Sequence, residues 1–317
     1  MTGPRNTPCS ILIPTFNGRD ILEECLPSLD AEIARRGRID ELLIIDNAST
    51  DGTAEFVAGS YPHARVLHLE ENLAIFALNQ GARAAAHPYL FFLNNDMLLE
   101  PGCLDALLAG FVDASIFAVT GRVMQWDRRT VQAARRRAVF RRGLFWPLSW
   151  GGPAENAPGE TLYALGGQSV FDRAKFLSLN GIDPLFSPFY HEDLDVSYRA
   201  WRRGWRVLYE PGAVMIHKGA ATAGRMYSPE QLRTFMQKNL FLFQWKNLHG
   251  AGRAASQIAW LAPRVLAAAA RRDTVFLRGL AGALRQAPQA LRARGDARRH
   301  ATVPDAPVLA RLNPPNN

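Results

Sequence analysis

An apolar run, Leu90-Phe91-Phe92-Leu93, stops abruptly in the polar cluster Asn94-Asn95-Asp96. The run reads as a buried strand. A carboxylate at the C-terminal end of such a strand points into the crevice where open α/β sheets bind ligands, a place for a metal and a phosphate. Asn and Asp also favour turns, so the cluster alone reads equally well as a change of chain direction. A denser cluster follows at Tyr190-His191-Glu192-Asp193-Leu194-Asp195. Acids that open a helix complement its macrodipole, but three of them exceed what capping requires. Glu192 and Asp195, three apart, share a helix face while Asp193 points elsewhere, so the three cannot do the same job. His217 closes the run Val214-Met215-Ile216, and a histidine at the mouth of an acid-lined crevice is a candidate metal ligand.

These groups need elements to hold them. Short apolar runs without polar alternation occupy residues 10–14, 41–46, 64–69 and 89–93, separated by segments with helical spacing at 21–36, 53–60 and 72–86. Such strands alternating with helices predict a parallel sheet covered on both faces. Three of the strands end in polar residues at one level of the sheet: Thr15-Phe16-Asn17, Asp46 through Asp51, and Asn94-Asn95-Asp96. One crevice would collect them all. The fingerprints G-x-G-x-x-G and G-x-x-x-x-G-K-[ST] are absent from this region, so a nucleotide there would be held mainly by side chains and a metal. Farther on, 104–112 reads as a helix, 117–119 as a strand, and 164–171 as a turn entering a strand. The paired Gly166 and Gly167 of that turn let backbone approach a ligand closely. Residues 205–211 and 214–219 read as two further strands.

The chain has 317 residues, 48% of them hydrophobic, enough for a large core. Cys9, Cys25 and Cys103 show no paired spacing, and the N-terminus shows no charged and apolar leader. Together these predict a cytoplasmic protein with no thiolate-held metal. No apolar run approaches the ~18 residues needed to cross a bilayer. The net charge of +8 is localised: residues 251–300 hold ten Arg and two Asp, which equals the whole excess, so residues 1–250 are close to neutral. Basicity confined to a tail argues against nucleic acid as a partner of the body. A second arginine cluster, from Arg128 to Arg142, reads as a solvated loop, and 143–160, with its Gly, Pro and Trp, as a flap or acceptor loop.

The ordered set Ile13-Pro14-Thr15-Phe16-Asn17, Ile45-Asp46-Asn47-Ala48-Ser49-Thr50-Asp51-Gly52-Thr53, Leu93-Asn94-Asn95-Asp96, Gly166-Gly167, Gly181-Ile182-Asp183, Glu192-Asp193-Leu194-Asp195 with Arg199, and Ile216-His217 resembles the family 2 glycosyltransferases. The likeness is to their rhamnosyltransferase-like branch and covers residues 9–245. It implies an α/β fold of the GT-A type, a mostly parallel central sheet with helices on both faces, over residues 1–250. The donor half would be 9–100 and the acceptor half 101–245. It also implies inverting transfer from a UDP- or dTDP-sugar to a hydroxyl of a glycan or lipid-linked acceptor, with Mg²⁺ or Mn²⁺. Carried over residue by residue, Pro14, Thr15, Asn17, Asp46, Asn72 and Asn95 would surround the nucleotide, with Thr15 and Asp46 on base and ribose. Asp96 would be the last position of the metal-binding D-x-D element, and His217 would reach the metal or the diphosphate. Asp193 would be the general base, with Gly166, Gly167, Glu192, Asp195 and Arg199 on or behind the acceptor side. Two positions depart from the family pattern. Asn94 replaces the first acid of D-x-D, and the stretch 71–81 lacks the Gly that usually follows Asn72 by two. One carboxylate is still sufficient for Mg²⁺, because phosphates and waters complete the octahedron.

In the tail, Arg264, Arg271, Arg278, Arg285, Arg292 and Arg299 recur every seven residues beside Leu277, Leu280, Leu284, Ala287 and Leu291, interrupted by Pro263 and Pro288. This amphipathic pattern, with Trp260 and Phe276 suited to a water–lipid boundary, has three readings. It is a helical appendage packed on the domain, a helix lying on the anionic inner face of the cytoplasmic membrane, or an oligomerising coiled coil. Residues 301–317 read as a Pro-rich flexible tail. Two rival functions remain. A nucleotidylyltransferase acting on sugar phosphates would carry a Gly-rich basic loop that residues 11–19 lack. A non-catalytic membrane or nucleic-acid binding module using the basic tail leaves the acidic clusters unexplained.

Overall fold

The structure, a computed structural model, describes residues 7–219 and 223–313. Strands β1 (Cys9–Thr15), β2 (Glu41–Asp46), β3 (Arg65–His68) and β4 (Tyr89–Leu93) follow one another through helices α1 (Arg19–Arg35), α2 (Thr53–Ser60) and α3 (Ala77–Ala84). They lie side by side as β3-β2-β1-β4, all parallel. Alternate strand side chains point to opposite faces. Ile11 and Ile13 therefore enter one core with Leu22 and Leu26 of α1, whereas Leu12 enters the other with Leu78 of α3.

Beyond β4 the sheet is mixed. The chain continues through β5 (Met97–Leu99), α4 (Cys103–Ala109), β6 (Ile116–Gln125), β7 (Val131–Ala133), β8 (Arg136–Arg141), β9 (Leu144–Ser149) and β10 (Gly159–Glu160). Then come β11 (Gln168–Asp172), α5 (Arg173–Ser178), α6 (Glu192–Trp201) and β12 (Arg206–His217). The order on this side is β10-β12-β6-β11-β4. β6 and β12 run parallel, while β11 lies antiparallel between β4 and β6. This reversal sets Gln168 opposite Leu93 and brings the Gly166-Gly167 turn beside the polar end of β4. The two strands expected at 205–211 and 214–219 are one, with a register break between Glu210 and Val214. Pro211 has no N–H, so the ladder slips there rather than ending.

The arginine-rich segment is not a solvated loop. β7 pairs with β6, and β8 with β9 in a two-stranded sheet. Ala138, Leu144 and Phe145 are buried, and the Phe145 N–H donates to Gln244 Oε1 at 2.9 Å. In β8 arginines flank the apolar triplet Ala138-Val139-Phe140, so no period of two shows in the sequence. The expected flap at 143–160 likewise contains β9, a 3-10 turn over Gly152–Asn156 and β10.

The C-terminal part forms α7 (Ala223–Met226), α8 (Pro229–Asn247), α9 (Ala251–Ala270), α10 (Thr274–Arg299) and α11 (Asp305–Leu312). Ser228 and Gln231 close a capping box at the start of α8, which satisfies otherwise orphaned N–H groups. Leu240, Phe241, Leu242 and Phe243 of α8 are buried in the core. α10 packs along α8 through Gly279, Ala283 and Ala290, and a Cβ at Gly279 would lie 2.8 Å from the Gln237 side chain. Pro263 and Pro288 sit inside α9 and α10 and interrupt neither. The break falls at Arg272, whose φ is 54°, and it splits the seven-residue arginine stripe between two helices. The expected flexible tail contains α11, with Val308 and Leu312 buried. Asp305 anchors it, accepting from the Tyr198 hydroxyl at 2.7 Å, the His249 N–H at 2.6 Å, and Arg202. The start of the N-terminus, 1–6, and the end of the tail, 314–317, lie outside the described residues. Among the described residues no helix is long and apolar enough to cross a membrane.

Candidate functional site

The polar ends of β1, β2 and β4 meet. Thr15 and Asp46 are register partners, and both are buried. Asn95 Nδ2 donates to Thr15 Oγ1 at 3.1 Å, tying β4 to β1. A Cβ at Gly18 would lie 2.3 Å from Thr15 Oγ1, so glycine is required where α1 begins. Asn17, at φ 47°, joins the two loops: its N–H donates to Ser49 Oγ at 2.9 Å and its Oδ1 accepts from the Thr50 N–H at 2.8 Å. Asp46 Oδ1 accepts from the Ser49 N–H at 3.1 Å. Its Oδ2 lies 2.7 Å from His68 Nδ1 in a geometry that makes no hydrogen bond. A buried carboxylate oxygen without a donor is costly, and a ligand N–H or O–H would relieve it.

Of the six residues expected around a nucleotide, Thr15, Asn17, Asp46 and Asn95 converge. Pro14 supports them from within β1, opposite Ile45. Asn72 does not join them: it is exposed, and its Oδ1 accepts from the Ala74 N–H at 2.8 Å. Asn47, which carried no assigned role in the sequence reading, holds that segment instead. Its Nδ2 donates to the Ala74 carbonyl at 3.2 Å and its Oδ1 accepts from the Leu73 N–H at 3.2 Å.

Asp96, in the turn after β4, and His217, at the end of β12, come together. His217 Nε2 lies 3.1 Å from Asp96 Oδ1, and Asp96 is buried. Two cis ligands of octahedral Mg²⁺, each ~2.1 Å from the ion, are about 3 Å apart, so the pair fits as part of a coordination shell. Gln132 of β7 reaches His217 Nδ1 with both amide atoms, Nε2 at 2.9 Å and Oε1 at 3.1 Å. When Oε1 is the partner it accepts from Nδ1–H, and the Nε2 lone pair then faces Asp96, the tautomer a metal ligand needs. Among the described residues no three His, Cys, Asp or Glu side chains form a metal-binding group. A cation here would therefore depend on ligand oxygens as well.

Facing this pair across the Gly166-Gly167 turn is the acidic start of α6. Tyr190 and His191 have φ of 75° and 69°, a sharp entry that aims the following acids inward. The Gly166 N–H donates to Asp193 Oδ2 at 3.3 Å, and the Asn94 N–H donates to the Gly167 carbonyl at 2.9 Å. A Cβ at Gly167 would lie 2.0 Å from Asn94 Oδ1. One short turn thus links the Asp96 side to the Asp193 side. Burial pushes Asp193 up to about 6, against the hydrogen bonds from Leu194 and Gly166. Burial, aided by the charge of Asp193, pushes Glu192 up to about 8, and Glu192 Oε2 has no hydrogen-bond partner.

Asp195 is fully buried and faces away from the cleft residues. Arg199 Nε at 2.8 Å, Lys246 Nζ at 2.8 Å and Asn247 Nδ2 at 2.7 Å surround it. Although burial opposes ionisation, the Arg199 and Lys246 charges hold its pKa below the usual carboxylate value. Lys246 also reaches Asp183 at 2.7 Å, and Arg199 Nη2 donates to the Gly181 carbonyl at 2.7 Å. The Gly181-Ile182-Asp183 motif is therefore clamped to α6 and α8. Asn239 of α8 donates to the carbonyls of Phe186, Phe189 and Tyr190 at 2.6, 2.9 and 2.9 Å. A polar residue in the apolar run of α8 was the available signal for it.

Residues 10–177 match the family described as glycosyl transferase family 2. The N-acetylglucosaminyl-diphospho-decaprenol L-rhamnosyltransferase of Mycobacterium tuberculosis is 28% identical over 244 residues, spanning 68% of this chain and 77% of its own. The pre-mycofactocin glycosyltransferase of the same organism is 25% identical over 308 residues, 90% of this chain and 63% of its own. Among solved structures, GalNAc-T7 with UDP, GalNAc and Mn²⁺ aligns at a TM-score of 0.59 and 19% identity. That alignment covers 76% of this chain and 48% of the other, so this chain spans about half of GalNAc-T7. The mannosyltransferase PcManGT of Pyrobaculum calidifontis, with GDP-Man and Mn²⁺, aligns at 0.55 and 18% identity over 98% of this chain and 80% of its own. These likenesses show a GT-A fold, with its mixed central sheet.

Proposed function

The chain belongs to glycosyl transferase family 2, and on that premise we propose that it moves a sugar with inversion from a nucleoside-diphosphate donor to a hydroxyl of a membrane-associated glycan. Thr15, Asp46 and Asn95 hold the nucleoside, and the orphaned Asp46 oxygen accepts from it. Asp96 and His217 hold a divalent cation, Mg²⁺ or Mn²⁺, which when bound supplies Lewis acidity to the departing diphosphate. Asp193 takes the proton from the attacking acceptor hydroxyl. A carboxylate raised towards neutrality is a stronger base than an ordinary one, yet still ionised at pH 7. Glu192, protonated at that pH, does not compete for the same proton.

The observation that carries this reading is the link Asp193–Gly166–Gly167–Asn94. It holds Asp193 and the Asn94–Asp96 segment on two sides of one short turn, which supports a proton acceptor opposite the departing diphosphate. Two relatives support the acceptor class: one is named for a decaprenol-linked substrate, and the poly-beta-1,6-N-acetyl-D-glucosamine synthase of Staphylococcus aureus is 23% identical over 209 residues. The reading places the protein on the inner face of the cytoplasmic membrane. Calorimetric titration of UDP and dTDP with and without Mn²⁺ tests the donor side. Metal-dependent binding of one nucleotide, lost in Asp96→Ala, is the expected result. Equal binding by that variant removes Asp96 from the cation site.

A further inference from the structure

Helix α9 is apolar and yet exposed. Of its 20 residues only Arg253 and Arg264 are charged, and only Ala268 is fully buried. It borders a groove of about 410 Å³ whose other walls are α8, α10 and the turn of the β8–β9 hairpin. Three apolar side chains that line this groove stay open to solvent: Ile258 at 75%, Leu284 at 54% and Leu291 at 59% exposure. Of the leucine stripe of α10, Leu280 is buried together with Gly279, Ala283 and Ala290, whereas Leu284 and Leu291 are not.

One end of the groove is cationic. Arg264 lines it, and its Nη2 donates to the Arg142 carbonyl at 2.9 Å. The Arg142 guanidinium stacks over Trp260 at 5.5 Å. The Arg264 Nε–H is buried and has no hydrogen-bond acceptor. Among the described residues neither arginine forms an ion pair, although Arg278 and Arg299 of α10 do. Two adjacent guanidiniums without a counter-charge at the end of an open hydrocarbon-lined groove match an amphiphile with an anionic head.

We propose that this groove takes one hydrocarbon chain of an anionic phospholipid, with Arg142 and Arg264 on its phosphate, and so seats α9 on the membrane surface. The inference rests on the membrane location proposed above and names the surface responsible. It does not depend on the donor chemistry. A second copy of this chain is a poorer occupant, because a two-fold contact pairs this patch with itself and its lining holds no carboxylate to meet Arg142 and Arg264.

The test is co-sedimentation of the full chain with phosphatidylcholine vesicles, alone or with about one-third phosphatidylglycerol. Wild type should bind only the mixed vesicles. Vesicles with brominated acyl chains should quench its tryptophan fluorescence, and Trp260→Phe should reduce that quenching, leaving the part due to Trp245, which also lines the groove. Arg142→Gln with Arg264→Gln should weaken binding about 10-fold or more. Leu284→Gln with Leu291→Gln, at positions already more than half exposed, should weaken it comparably with an unchanged circular-dichroism melt. Mixed-vesicle binding that both double variants retain, or quenching undiminished in Trp260→Phe, overturns the groove while leaving the membrane location standing. Failure of wild type to bind either vesicle overturns both. Protection of the groove by inorganic phosphate without vesicle binding also overturns the lipid, as does a dimer seen by light scattering that Leu284→Gln with Leu291→Gln dissolves.

Discussion

At the scale of single residues, α6 separates two neighbouring acids by environment. Asp193, pushed up to about 6, must be ionised to accept a proton. The acid limb of kcat/KM should therefore fall as pH drops through about 6, and Asp193→Asn should lower kcat by ~10²–10⁴-fold with donor affinity retained. A pH-independent rate between 5 and 7.5, or full activity of the Asn variant, would assign the base elsewhere. Glu192 has the opposite consequence, for stability. Its folded pKa of about 8 exceeds an unfolded value near ~4.3, so the folded state holds the proton longer. Its ionisation thus costs stability progressively as pH rises from the unfolded pKa towards the folded one. Glu192→Gln should melt close to wild type at pH 4 and clearly higher at pH 8.5. A constant difference in melting temperature across that range would contradict the assignment.

At the scale of elements, the site is held by contacts between segments far apart in sequence. Lys246 of α8 neutralises Asp195 of α6 and Asp183 of the preceding loop, with 4% or less of the Lys246 and Asp195 side chains exposed. Lys246→Met should destabilise the fold by ~3–5 kcal/mol, because it leaves buried charge with fewer partners. Urea unfolding measures this, and a loss below ~1 kcal/mol would mean that Arg199 and Asn247 suffice. Gly167 is a tighter constraint. A Cβ there has nowhere to go but into Asn94. Gly167→Ala should cost ~1–3 kcal/mol by overpacking and reduce turnover by displacing the link between the two halves of the site. The β8–β9 hairpin shows why element reading from sequence failed there: its inward residues Ala138 and Phe145 are buried, but arginines flank the apolar triplet of β8 and no alternation shows.

At the scale of the whole molecule, the C-terminal helices are part of the fold. α10 packs on α8, Arg294 donates to the Trp245 and Leu248 carbonyls at 2.8 and 2.7 Å, and α11 is fastened by Asp305 to α6. Truncation after residue 250 should therefore yield a protein that aggregates or melts well below full length, by light scattering and calorimetry. A truncated chain with native melting would show these helices to be an appendage. Among the described residues α9 is left largely uncovered, with Ala268 its one buried residue. By itself the sequence determined the strand–helix alternation and the polar ends of β1, β2 and β4. It also determined the helix opened by Glu192, because apolar runs, turn residues and caps act locally. Tertiary structure alone decided that Asp195 is spent on Lys246, that Gln132 meets His217 from 85 residues away, and that Leu284 and Leu291 stay exposed. Those outcomes depend on which surfaces remain once α8 and α10 have packed, and no local pattern encodes that competition.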